Sequence, residues 1–492
     1  MKIQVTNLGA LKQASFELGE LTVICGRNNT GKTYATYALF GFLSLWRQLF
    51  SISISDGKID NLLADGVVTL DLDRYIKQVG EIVTAGCHAY AAQLSSVFAA
   101  PRERFTDSVF QVSLDSADIR PADTFERRMG AAKAELFSIV KSSGSSNLDV
   151  SLLVERDKVR IPREVIKRAI GDAIKDIVFG HLFPPPFIAS AERTGAAIFR
   201  KELNFARNRL LEHVAQSDKD LSPIEWLSKA YQDYALPVKT NVEFTRQIET
   251  LVKKTSFVAR EHPELLVDFT NIIGGEYTVT RNDELYYVPQ GKRLRLSMDE
   301  SSSAVRSLLD VGFYLRHVAQ PGDLLMVDEP ELNLHPENQR RVARLFARLV
   351  NIGIKVFITT HSDYIIKELN TLIMLGRARP HLAGIREREG YHPAELLSAD
   401  QIRVYIAEEA LVLLDGNSKR SKCLTLVEAD IDPDFGIAAR SFDSTIDEMN
   451  RIQDEIVWEA TNGFGFSAEA NDQGVGTGRA RDARCDSIGR TP

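Results

Sequence analysis

Cys25-Gly-Arg-Asn-Asn-Thr-Gly-Lys-Thr33 decides the fold. It reads G-x-x-x-x-G-K-T, a P-loop, in which successive backbone N–H groups curl around a phosphate chain. Gly26 and Gly31 permit backbone angles and a close approach that a side chain would block. Lys32 brings a point charge to the β/γ-phosphates, and the Thr33 hydroxyl offers a Mg2+ coordination position. The candidate nucleotide-binding set is Arg27, Asn28, Asn29, Thr30, Gly31, Lys32, Thr33 and Tyr34. The apolar run Leu21-Thr-Val-Ile-Cys25 before the loop reads as a buried strand, and an apolar helix follows whose positive end faces the anion. Tyr34 to Phe50 approaches the roughly 20 apolar residues of a membrane span. It starts inside the P-loop, however, and is interrupted by Arg47, so it is read as a core helix and no membrane is expected.

Two further strands end in polar clusters. Asp323-Leu-Leu-Met-Val-Asp-Glu-Pro330 is an apolar strand closing on two carboxylates, the expected Walker B partner of a P-loop. Asp328 would hold Mg2+, and Glu329 would polarise the water that attacks the γ-phosphate. Alone, the pattern is also that of an acidic strand-to-loop turn; downstream of a P-loop the site reading is preferred. Lys355-Val-Phe-Ile-Thr-Thr-His-Ser-Asp363 places His361 at the carboxyl end of a strand, where ligands bind in open α/β sheets. A structural histidine is the competing reading.

The P-loop, Leu324-Leu-Met-Val-Asp-Glu-Pro-Glu-Leu-Asn-Leu-His-Pro336 and Thr359-Thr-His-Ser-Asp363 together resemble the ABC-type ATPases of the SMC, RecF and OLD group. Within it they resemble bacterial anti-phage ATPases: the OLD nucleases, the Septu ATPase and the ATPase subunit of PARIS. The resemblance spans roughly residues 1–50, 187–200 and 275–370, and implies an α/β ABC-type core of mixed sheet and flanking helices. It implies ATP and Mg2+ as cofactors, Asn333–Pro336 as a D-loop, and His361 as the switch that senses γ-phosphate. Ser301-Ser-Ser-Ala304 stands where the group has L-S-G-G-Q, with Ser303 and Ala304 in place of two glycines. If the loop works as in relatives, Ser302 and Ser303 of one copy close over ATP held by Lys32 of another, giving a homodimer or higher homo-oligomer. Serines at a helix N-terminus also suit an anion independently of family, although a simple cap for a helix over 303–318 explains them too. The strand Phe187–Ala189 and the turn Glu192-Arg193 occupy the Q-loop position without a glutamine, leaving open whether Arg193 meets nucleotide or partner.

The rest divides by pattern. Residues 1–50 form the N-terminal lobe, 51–186 an insertion, and 187–274 a core strand with a helical subdomain. Residues 275–370 carry the signature, Walker B and switch, 371–462 a C-terminal α/β extension, and 463–492 a tail expected to be disordered. The insertion is read as helices over about 75–99, 122–141 and 163–179, with a hairpin from 150–154 and 158–161. Strands are expected at 277–280, 285–288, 293–298 and 424–427, and a helix over 445–457.

The 492 residues are 44% hydrophobic and 26% charged, with net charge −7, so no global charge favours nucleic acid. Basic clusters at Lys292-Arg293-Arg295, at Arg340, Arg341, Arg344 and Arg348, and at Lys419-Arg420-Lys422 allow local contact; the second set is preferred as a solvated face. Four scattered cysteines suit a reducing cytoplasm. Glu428, Asp430, Asp432 and Asp434 could serve a TOPRIM-like nuclease centre, with a solvated acidic loop preferred. The favoured function is an ATP-hydrolysing oligomeric sensor or scaffold. It would control a separately encoded nuclease or toxin effector against phage, triggered by DNA or a phage protein. The alternative is a self-contained DNA-repair or OLD-like nuclease; a transporter ATPase ranks third.

Overall fold

The computed structural model describes residues 1–131, 134–153, 162–198, 234–280, 284–414, 418–437 and 448–455. The chain divides into two units, Met1–Ala439 and Arg440–Pro492. Of the second, the described part is a helix over 448–455, inside the expected 445–457. The 463–492 tail and the second half of the expected 150–161 hairpin lie outside the described residues.

The first unit is built on a six-stranded sheet in the order Arg420–Glu428, Ile402–Leu413, Leu21–Gly26, Lys355–Thr360, Leu324–Asp328, Pro186–Ala189. All neighbours are parallel except the outermost Arg420–Glu428, which turns back on Ile402–Leu413. Leu21–Gly26 and Leu324–Asp328 are buried along their whole length and Lys355–Thr360 from Val356 onward, as their continuous apolar runs require of a sheet covered on both faces. The expected class, a mixed α/β P-loop ATPase fold, is the one observed. A second, antiparallel sheet joins Leu11–Glu17, Lys2–Leu8 and Val109–Ser113, so the insertion lends a strand to the N-terminal hairpin.

Within the insertion, residues 122–141 do not form the expected helix. They make the strands Phe125–Ala131 and Ala134–Lys141 of a four-stranded antiparallel sheet with Asn147–Leu152 and Val67–Asp71. Phe137 and Ile139 turn inward at period two, beside Leu148 and Val150, and this pairing outweighs the helical propensity of the Glu, Ala and Arg around them. The single helix expected over 75–99 is three: Asp73–Lys77, Val79–Ala91 and Leu94–Phe98. Arg163–Phe179 is the expected helix, burying Ile166, Ile170, Ala173, Ile174 and Ile177 at helical spacing. The expected 293–298 strand shrinks to Leu296–Ser297.

The P-loop helix Lys32–Leu49 is apolar because it is enclosed, and no described helix is long and apolar enough to cross a membrane. Its rear packs Phe42 and Trp46 against Phe50, Phe179 and Phe183 in tilted and edge-on contacts with centroids 5.1–6.3 Å apart. Phe183 is fully buried against four aromatic neighbours. Phe183→Ala is therefore expected to cost about 3–5 kcal/mol, read as a lower urea midpoint at unchanged m. A loss under about 1 kcal/mol would mean that the cluster does not support the P-loop helix.

Candidate nucleotide site

The buried strand Leu21–Gly26 delivers the loop to the sheet's carboxyl edge. Gly26 has φ 140° and Gly31 φ 97°. A Cβ on Gly26 would fall 2.6 Å from the Ala407 carbonyl oxygen, and one on Gly31 2.7 Å from Leu11 Cγ. Both glycines are therefore demanded by backbone angle and by space. Asn29 adopts φ 63° between them. Arg27, Asn28 and Asn29 are exposed at the tip, and Thr30 Oγ1 donates to the Arg27 carbonyl at 2.8 Å. Lys32 is buried, and its Nζ donates to the carbonyls of Gly26 (2.9 Å) and Arg27 (2.8 Å), folding back over the loop. Burial lowers its pKa, opposed by the charges of Glu329, Asp328 and Glu331 in that order. Tyr34 points elsewhere: its ring lies 5.1 Å from that of Phe98 and covers Gly9.

Across the edge, Thr33 Oγ1 stands 3.4 Å from Asp328 Oδ2, while Thr359 Oγ1 donates to Asp328 Oδ1. Asp328 is buried, which pushes its carboxyl up to about 6 against the pull of the Thr359 hydrogen bond. Facing hydroxyl and carboxylate oxygens beside a glycine-shaped phosphate cradle are the hard donors that Mg2+ takes, so the residues fit the ion.

Glu329 holds φ 53°, a left-handed backbone costing a non-glycine residue roughly 1–3 kcal/mol. Its N–H donates to the Thr359 carbonyl at 3.1 Å. Its carboxylate lies 3.8 Å from His361 Nδ1. Glu331, almost fully buried, holds the histidine: its Oε1 accepts the His361 backbone N–H at 2.7 Å and lies 3.1 Å from Nδ1. Sequence reasoning passed over Glu331, although a second acid two residues after Glu329 was visible in the motif. Asn333 takes φ 62°, and His335 caps the helix Pro336–Asn351. Gln339 of that helix accepts from Ser362 Oγ at 2.5 Å, tying the helix after Asn333–His335 to the end of the strand Lys355–Thr360.

Further residues complete the surroundings. Tyr37, kept protonated by burial, donates to Glu192 Oε2 at 2.9 Å, and the Glu192 charge bears on Asp328. Arg193, open from sequence to nucleotide or partner contact, is instead fully buried. It donates to four main-chain carbonyls: Ser190 (2.8 Å), Ser307 (2.6 Å), Asp328 (2.6 Å) and Glu329 (2.9 Å). Ser302 caps the short helix Ser303–Ser307, accepting from Val305 N–H at 3.3 Å, and Ser303 Oγ accepts from Arg306. The expected 303–318 helix is split at Leu308 into this piece and Leu309–His317. Ser302 and Ser303 thus bond within their own loop, whereas Thr33, Asp328, Glu329 and His361 are brought together.

Asp310, also buried, accepts no hydrogen bond at either oxygen among the described residues; burial pushes its carboxyl up to about 7, against the attraction of Arg193. A folded-state pKa above the unfolded one means the native state binds more protons between about pH 4 and 7. This group's contribution therefore falls as pH rises through that window. Asp310→Asn is expected to flatten the decline in Tm between pH 4.5 and 7.5; an unchanged slope would show that Asp310 ionises as freely folded as unfolded.

Part of the outlying charge is committed to ion pairs. Arg340 and Arg344 both bind buried Glu368 and Arg348 pairs with Asp268, so these three are anchored, while Arg341 stays on the exposed face beside Glu337. In the acidic cluster, Asp434 pairs with Arg377 and Arg379, and Asp432 accepts from the Asp434 and Phe435 backbone. Among the described residues no group of three His, Cys, Asp or Glu side chains could hold a metal.

A P-loop on one strand, an Asp-Glu pair two strands away and a histidine on the strand between meet at one edge of the sheet, the arrangement of a P-loop ATPase fold. A protein-family model described as an AAA ATPase domain matches residues 190–366, from the Arg193 turn to just past His361. No curated protein matches the chain. Among solved structures, an SMC head domain from Thermotoga maritima is 10% identical with TM-score 0.28, covering 87% of this chain and 98% of that one. An Smc head with extended coiled coil, bound to the C-terminal domain of ScpA derived from Pyrococcus furiosus, is 13% identical with TM-score 0.28, covering 92% and 98%. An SmcHead bound to the C-winged helix domain of ScpA is 11% identical with TM-score 0.29, covering 86% and 97%.

Proposed function

We propose that the chain binds and hydrolyses Mg-ATP and that ATP controls its assembly with further copies of itself. The carrying observation is that three segments distant in sequence converge on one end of a parallel sheet. Thr33 faces Asp328 at 3.4 Å, and His361 stands within 3.8 Å of Glu329. In this reading the P-loop amides and Lys32 hold the triphosphate. Glu329 orients the attacking water and accepts its proton. His361, oriented by Glu331, contacts the γ-phosphate. Mg2+, when held by Thr33 and Asp328, supplies positive charge to the phosphate oxygens.

Ser302 and Ser303 of one copy close over the nucleotide of another, so ATP joins copies and hydrolysis releases them, a ligand-driven population shift. The wider role is a cytoplasmic anti-phage sensor or scaffold, responding to DNA or a phage protein and controlling a separately encoded nuclease or toxin. Motif resemblance supports that role. The engagement of Asp434 by two arginines weighs against the self-contained nuclease.

The test is capture of the Glu329→Gln protein from its native host with Mg-ATP, read by mass spectrometry. A stoichiometric companion with nuclease or toxin chemistry supports the sensor reading. Recovery of self and DNA alone favours an enzyme acting on DNA directly.

A further inference from the structure

We propose that Arg193 is a positioning residue that links the Ser302–Ser307 segment mechanically to the backbone of Glu329. The inference deepens the ATPase reading and rests on it for its catalytic consequence.

Arg193 is 1% exposed and is the largest fully buried side chain described. An arginine retained to neutralise a buried acid would spend its planar fork on that acid. Here Asp310 is buried and draws on the Arg193 charge, yet neither of its oxygens accepts a hydrogen bond among the described residues. The guanidinium is spent on main-chain carbonyls of three separate elements. Ser190 follows the edge strand Pro186–Ala189; Ser307 ends the short helix capped by Ser302; Asp328 and Glu329 end the Walker B strand.

The Glu329 backbone is thereby gripped on both sides. Thr359 takes its N–H and Arg193 its carbonyl, which holds the left-handed φ of 53°. A strained residue persists only where its surroundings over-determine it. The other end of the link is stiff as well. Arg306 bonds the carbonyls of Met298 and Ser301 and the Ser303 hydroxyl, so the loop and its helix move as one piece ending at Ser307. Displacement of that piece pulls on the guanidinium that holds Glu329.

Two variants separate positioning from charge balance. Arg193→Met leaves Asp310 buried without its cation and is expected to lower Tm. Arg193→Met with Asp310→Asn removes both charges and is expected to recover the part of the Tm loss that comes from the unbalanced charge, the four carbonyls still lacking their donor. The double variant should still bind ATP within two-fold of wild type, yet turn it over at least ten-fold more slowly at a KM within two-fold. Hydrogen–deuterium exchange should be faster over residues 324–334 and unchanged over the P-loop. Recovery of kcat together with Tm would overturn the proposal, as would unchanged exchange over 324–334. A wild-type protein that hydrolyses no ATP would sink the ATPase reading, and the exchange comparison would still decide the link.

Discussion

Glu329→Gln is expected to reduce ATP turnover by roughly 10²–10⁴-fold while leaving nucleotide affinity unchanged. Glutamine matches the carboxylate in shape and keeps the backbone held between Thr359 and Arg193, but it cannot take the proton of the attacking water. The substitution leaves the Thr33 hydroxyl and the Asp328 carboxylate, which face each other, unchanged. Turnover is read by phosphate release and affinity by calorimetry. If ATP joins copies and hydrolysis parts them, the same variant accumulates as an ATP-bound oligomer. Light scattering should then show a larger mass with Mg-ATP than without. Equal mass in both conditions would refute nucleotide-driven joining; near-normal turnover would remove Glu329 from the chemistry.

Lys32→Ala is expected to weaken Mg-ATP binding by about 100-fold or more. A charge-assisted hydrogen bond contributes about 1.5–3 kcal/mol, at 1.4 kcal/mol per decade. Two further effects add to it. Lys32 braces its own loop through the carbonyls of Gly26 and Arg27, and its charge offsets Glu329, Asp328 and Glu331. Without it the phosphates would enter a field of three carboxylates. Calorimetric titration with a thermal-unfolding control checks this; unchanged affinity in a folded variant would show that the triphosphate sits elsewhere.

The site was legible where chemistry restricts residue type. Only glycine tolerates the angles at Gly26 and Gly31, and the Asp-Glu and His positions sit at strand ends marked by apolar runs. Arg193 was not legible, because its partners are carbonyls, which every residue carries, and a charged residue in a glycine-containing turn reads as exposed. Glu331 was visible as a residue, but its hold on His361 required two strands to be placed side by side. In the insertion, Phe125–Lys141 carries strong helix formers, and only pairing with Asn147–Leu152 makes strands the better use of Phe137 and Ile139. Arg340 and Arg344 looked solvated because Glu368, their anchor, lies on another helix.

The strand order of the central sheet sets a timetable for synthesis. The P-loop strand Leu21–Gly26 is made more than 300 residues ahead of both its neighbours, Lys355–Thr360 and Ile402–Leu413. At about 5–20 residues per second, the ribosome needs tens of seconds to supply both. Until then the nascent chain carries a strand with two open edges and an 18-residue apolar helix whose sheet is incomplete. Such distant pairing slows folding and exposes sticky surface, so the yield of folded protein depends on how well the growing chain is sheltered.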